Sequence, residues 1–170
     1  MKIHEVESSS PEFKFYTNKY NNFNLLYPSS WNIIEFSNDI SDGDLKFLTT
    51  FISPMDGSND KFQEFFTIKM KKINANEKIY PQNSFQEYFN NYTNKIEKSK
   101  FLTISEPEIN KSSQIKTIDY NITSNQGLIF HKKEYILQKN EQVFHIEFTL
   151  TNDTPNTFAK TMKKIVTSFN

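Results

Sequence analysis

A chain of 170 residues suits one domain with a core of its own. It has no cysteine, which excludes disulfides, thiolate catalysis and cysteine-built zinc or iron–sulfur sites. Its net charge is zero and all 20 of its basic residues are Lys, which argues against a nucleic-acid partner, because phosphate and base readers recruit the forked Arg guanidinium.

Residues 1–15 read as a flexible, polar lead-in without the apolar segment of a signal peptide. The protein is therefore expected outside the cytoplasm if a signal or lipid anchor has been removed, and in the cytoplasm otherwise. Residues 23–27 form a short apolar strand closed by Pro28-Ser29-Ser30. Residues 31–36 follow, with Trp31 anchoring this corner against the core. Residues 38–44 read as an acidic loop, 45–52 as a strand and 53–61 as a loop containing Pro54 and Asp56-Gly57. The strand at 65–73 puts Phe66, Ile68 and Met70 on one face.

A helix over 84–98 begins with a capping box, Ser84 to Glu87, and carries Phe85, Tyr88, Phe89, Tyr92 and Ile96 on one face. Three consecutive strands then fill 114–151. The first, 114–123, alternates through Ile118, Tyr120 and Ile122 and leaves by the turn Ser124-Asn125-Gln126-Gly127. The second, 128–137, is joined to the last by a turn centred on Lys139-Asn140. In that register 135 pairs with 144 and 131 with 148. The last strand alternates Phe144, Ile146, Phe148 and Leu150 with Val143, His145, Glu147 and Thr149, so the apolar set faces the core. A second helix starts at Thr154-Pro155 and runs to 168, with Phe158, Met162, Ile165, Val166 and Phe169 as its apolar stripe. The order predicts one α+β domain over 16–170, with five or more mainly antiparallel strands and the two helices packed on them. No apolar run approaches ~18 residues, so no segment reads as a membrane span.

The stretch Phe23-Asn-Leu-Leu-Tyr-Pro-Ser-Ser-Trp-Asn32 resembles the opening motif of the PsbP family, where an apolar strand ends in Pro-Ser-x-Trp. Phe51-Ile-Ser-Pro54, the helix at 84–98, the three strands and Lys163-Lys-Ile-Val-Thr-Ser-Phe169 follow in that family's order, and the likeness spans residues 16–169. It implies a Mog1/PsbP-like α/β/α sandwich and a small accessory protein of the prokaryotic type, working through an unidentified protein partner. The long basic N-terminal segment with which the plant protein engages photosystem II has no counterpart here. The resemblance also sets His131 and Asp153 where plant PsbP has a His and an Asp implicated in binding manganese or zinc.

The residues themselves name little chemistry. His4 lies in the lead-in, and the strand period puts His131 and His145 on opposite faces, so these two cannot chelate one ion. His131 and Asp153 would be two ligands of a weak divalent site; the plainer reading is a sheet residue and a helix-entry residue. Asp39, Asp42 and Asp44, or Asp56 and Asp60 with Glu64, fail the calcium-loop template, since Ile40 occupies a ligand position. Phosphate loops, a Gly-x-Ser-x-Gly turn and any nameable nucleophile–base pair are missing, so no catalysis and no cofactor are expected. The expected function is a non-enzymatic accessory or binding module acting through protein contacts. The alternative is a carrier of a small molecule or divalent metal, using an aromatic pocket or the His131/Asp153 pair.

Overall fold

The computed structural model describes residues 12–37, 40–55, 62–72, 83–98, 115–139, 142–152, 154 and 157–170. Asp39, Asp56, Asp60, Asp153, Pro155 and the side chain of Ser84, and with it the capping box, lie outside the described part. In chain order the elements are β1 (Phe13–Asn18), β2 (Phe23–Pro28), β3 (Asn32–Glu35), β4 (Ser41–Asp42), β5 (Leu45–Ile52) and β6 (Phe65–Lys72). There follow α1 (Asn83–Lys98), β7 (Ile115–Thr123), β8 (Ile129–Lys139), β9 (Gln142–Leu150) and α2 (Phe158–Ser168).

The large sheet has the order β3-β5-β6-β9-β8-β7, with the two-residue β4 hung on β5, and its pairings are antiparallel. β1 and β2 make a separate hairpin, so a strand begins at Phe13, inside the stretch expected as lead-in. Lys139 pairs with Gln142, so the pairing runs on past the turn centre expected at Lys139-Asn140. Tyr135 consequently sits opposite Ile146 and His131 opposite Leu150, two residues from the expected register. A slip of two leaves every side chain on its original face, because the strand period is two.

β9 lies near the middle of the sheet and is buried on both faces. One face meets α2 and the β1–β2 hairpin over a core of rings. Phe51 stacks on Phe66 at 4.5 Å, Trp31 stacks on Phe158 at 5.7 Å, and Phe23 stacks on Phe169 at 5.2 Å. Met162, Ile165 and Val166 are the buried stripe of α2. Two backbone bonds between Asn24 and Asn170, at 2.8 and 2.9 Å, tie the chain's end to β2. Ser168 Oγ adds to them by accepting the Leu26 amide at 2.8 Å. The other face meets α1, whose Phe85 and Phe89 close over Ile118, Ile136 and Val143. The molecule is an α/β/α sandwich around an antiparallel sheet.

Phe148 is fully buried and touches Phe66, Tyr135 and Phe158. Phe148→Ala should cost about 3–5 kcal/mol in a urea titration, as a large-to-small change in a tight core. A loss below about 1 kcal/mol would show that this face collapses around the void.

Candidate functional site

The antiparallel register lines up a polar layer on the α1 face. β9 contributes His145, Glu147 and Thr149, β6 contributes Thr67, Lys69 and Lys71, and β8 contributes Lys132 and Glu134. Glu134 stands directly opposite Glu147, an arrangement that repels unless each carboxylate is answered separately. Each is. Glu147 accepts Lys69 Nζ at 2.8 Å on Oε2 and Lys132 Nζ at 2.7 Å on Oε1. Lys132 also donates to Thr149 Oγ1 at 2.6 Å, and the Tyr120 hydroxyl reaches Glu147 Oε2 at 3.4 Å.

Glu134 turns the other way. Its Oε1 lies 2.6 Å from His145 Nδ1, and both its oxygens lie 3.0 Å from the Tyr92 hydroxyl. His145 Nε2 is 2.7 Å from the Tyr88 hydroxyl. The result is a continuous chain, Tyr92–Glu134–His145–Tyr88, running from α1 into the sheet and back to α1. The Glu134 and His145 side chains are wholly buried.

The charges respond to this packing. Burial alone would raise the Glu147 carboxyl, but the ammonium groups of Lys69 and Lys132 outweigh it and hold it at about 2. Burial opposes the charge on Lys69 as well, and the adjacent Glu147 carboxylate more than restores it, so its pKa is raised. The phenols of Tyr88, Tyr92 and Tyr120 are pushed well above their ordinary value, first by burial and then by nearby carboxylates. All three are therefore neutral hydroxyls, not nucleophiles.

A cleft of about 920 Å³ opens beside this layer. Lys69, Glu147 and Tyr120 form its floor, and Tyr88, Tyr92 and Ile96 of α1 one wall. The β4–β5 turn, Asp42-Gly43-Asp44, forms the opposite rim, where Gly43 takes a φ of 59° that a side chain would strain. Lys71 enters with its Nζ 5.3 Å from the centre of the Tyr88 ring. Among the described residues neither Lys71 nor Lys95, on the α1 rim, has a carboxylate within ion-pair distance.

Of the residues singled out in the sequence, His145, Asp42 and Asp44 belong to this region and His131 does not. His131 is on the α2 face, partly exposed, donating from Nδ1 to Asn121 Oδ1 at 2.9 Å with Asp119 Oδ1 3.6 Å from Nε2. His131 and His145 do occupy opposite faces. Among the described residues no three His, Asp or Glu side chains gather to hold an ion, and His131 with Asp119 supplies two donors at most. His131 with Asp119 alone supplies too few donors for a zinc or manganese centre, and Asp153, the other expected ligand, lies outside the described residues. Asp42 and Asp44 share the cleft rim, and among the described residues no third acidic ligand joins them. The Tyr88–His145–Glu134 chain is absent from the sequence reading. Its one visible signal is polar side chains at Glu134, His145 and Glu147 inside long strands.

The sign of the Glu147 effect is checkable. Its folded pKa is below the unfolded value, so its contribution is complete above about pH 5 and disappears as pH falls toward 2. Glu147→Gln should cost about 3–5 kcal/mol at pH 7, since it strands two buried ammonium groups. Urea titrations of both proteins at pH 7 and at pH 2.5 should show that gap closing in acid. An equal gap at both values would place the stabilisation elsewhere.

No family model and no curated protein matches the sequence. Cyanobacterial PsbP (CyanoP) from Synechocystis sp. PCC 6803 is similar in structure, with a TM-score of 0.62 at 12% identity, over 96% of this chain and 95% of that one. A Pseudomonas aeruginosa protein of unknown function matches at a TM-score of 0.52 and 17% identity, over 89% of this chain and 92% of its own. LpqN, involved in cell envelope biogenesis of Mycobacterium tuberculosis, matches at 0.50 and 7% identity, over 96% and 86%. Identities this low speak for the shared fold. In fold the chain resembles cyanobacterial PsbP, which matches it almost end to end.

Proposed function

We propose that this protein is a non-enzymatic binding module that holds a small ligand in the cleft between α1 and the sheet. One observation carries this reading: fully ionised side chains and oriented hydroxyls line a cavity large enough for a ligand, at the centre of the sheet. Sites of this kind combine apolar walls with a few fixed polar groups. Here Leu45, Ile96, Ile122 and the tyrosine rings supply the walls, and Lys69, Lys71, Glu147 and the hydroxyls supply the polar groups. The neutral phenols and the absence of a three-ligand cluster among the described residues favour binding over turnover.

A second reading, an accessory protein working through protein contacts, rests on the exposed Phe15, Tyr20, Ile33 and Ile34. Ile33 and Ile34 lie on β3, at one edge of the sheet. An extracytoplasmic setting is consistent with the cell-envelope role of LpqN. Among the described residues no helix is long and apolar enough to cross a membrane.

The test is a fragment panel of acids, amines and neutral aromatics, followed by amide chemical shifts. Binding should move the α1 and β4–β5 signals together, and Tyr92→Phe with Tyr120→Phe should weaken it at least threefold. Shifts confined to β1 and β3, or none at all, would defeat the cleft reading.

A further inference from the structure

We infer that the cleft takes a small organic acid as its carboxylate, and that binding draws one proton onto His145, turning the Tyr88 hydroxyl hydrogen toward the ligand. This rests on the cleft being a binding site.

With Glu134 and Glu147 as carboxylates and Lys69, Lys71 and Lys132 as ammonium groups, the layer already carries one positive charge when His145 is neutral, so a further proton on His145 is opposed until an anion enters. A neutral imidazole has one N–H, and Glu134 takes it at Nδ1, 2.6 Å away. Nε2 is then a lone pair, so the Tyr88 hydroxyl must donate to it across 2.7 Å. Tyr88 has spent its only hydrogen and shows the cleft nothing but acceptor lone pairs.

Protonation reverses that bond. An imidazolium donates from both nitrogens, so Nε2–H points at Tyr88 Oη and the phenol hydrogen is released toward the cleft. The phenol cannot simply ionise, because burial and the charges of Glu134 and Asp44 hold its proton firmly. Its one freedom is the direction in which it donates. A ligand carboxylate beside Tyr88 needs that donor, and its negative charge also repays the extra positive charge on His145. Binding and protonation therefore favour each other.

The groups facing His145 agree with this sign. Glu134 from β8 accepts its proton, and Tyr88 and Tyr92 from α1 flank it, with the Tyr92 ring centre 4.7 Å from the imidazole. Lys69 lies opposite on β6, but its charge is shared with Glu147 on His145's own strand. Lys71, at the mouth of the cleft beside Tyr88, has no counter-ion among the described residues and offers the entering carboxylate one. Asp42 and Asp44 oppose an anion, yet both are exposed on the turn, where water screens them. Leu45, Ile96 and Ile122 leave room for an apolar body behind the acid group.

The probes are benzoate, benzylamine and benzyl alcohol, titrated calorimetrically between pH 5.5 and 8 in two buffers of different ionisation enthalpy. Benzoate should bind with uptake of up to one proton, its affinity rising as pH falls by at most about tenfold per pH unit. His145→Gln should abolish the uptake. Tyr88→Phe, a milder change should His145→Gln not fold, should weaken benzoate at least fivefold and flatten its pH profile. Benzoate binding equally at pH 5.5 and 7.5 would overturn the proposal, as would uptake that persists in both variants. Binding of benzylamine or benzyl alcohol in place of benzoate would overturn it while sparing the cleft reading. If none of the three binds, both fall.

Discussion

The Glu147 carboxylate, held between Lys69 and Lys132 in the middle of the sheet, is the constraint to which the α1 face is fitted. Burying an ion costs several kcal/mol, and the pair's mutual attraction repays that only when every lone pair and proton has a partner. Glu147 meets the condition with two ammonium groups and the Tyr120 hydroxyl. Satisfying it has consequences next door. Because Lys69 and Lys132 are committed to Glu147, Glu134 directly across the strand must find its compensation in His145 and Tyr92. The second chain of bonds follows from the first.

Such a layer is an inefficient way to gain stability. Apolar residues of the same volume often do as well or better than a buried ion pair. The other face shows what this fold does when packing alone is at stake. Phe23, Phe51, Phe66, Phe144, Phe148 and Trp31 form a continuous ring core there, closed by α2 and pinned by the Asn24–Asn170 bonds. With one face carrying that core, the opposite face can hold charges in fixed geometry beside an open cleft. Local conflict with packing rules, in a molecule otherwise consistent with them, is where a site is expected.

The strand at 142–150 was legible because its two alternating sets differ so sharply in polarity, and the helices because their stripes recur every three or four residues. The position of the β8–β9 turn was not, since Lys139, Asn140, Glu141 and Gln142 are all acceptable turn residues. That error was harmless to the faces only because it amounted to two residues. β1 went unread because Lys14, Thr17 and Asn18 dilute its apolar positions, and its partner is the hairpin strand β2, outside the large sheet. The site was illegible for a different reason. Tyr88 and His145 are 57 residues apart, and no local pattern says that a tyrosine in a helical stripe will meet a histidine in a strand. Single polar residues within strands read as solvent-facing until a helix is known to cover them.

The composition of α1 becomes intelligible once its seat is known. Its inward stripe begins with Phe85 and Phe89, above Ile118, Ile136 and Val143, with the Lys116 ammonium lying over both rings. Toward the cleft the stripe changes to Tyr88 and Tyr92, and it is there that His145 and Glu134 lie beneath. The tyrosine hydroxyls of α1 stand where the sheet needs partners. Losing a hydroxyl would leave a buried acceptor or donor unmatched, a cost of about 1–3 kcal/mol for a neutral group. Stability alone could be met by removing both partners of each pair, with phenylalanine above and an aliphatic strand below. The two elements instead keep matched polar groups at the cleft wall. Their placement follows the cavity, not the core.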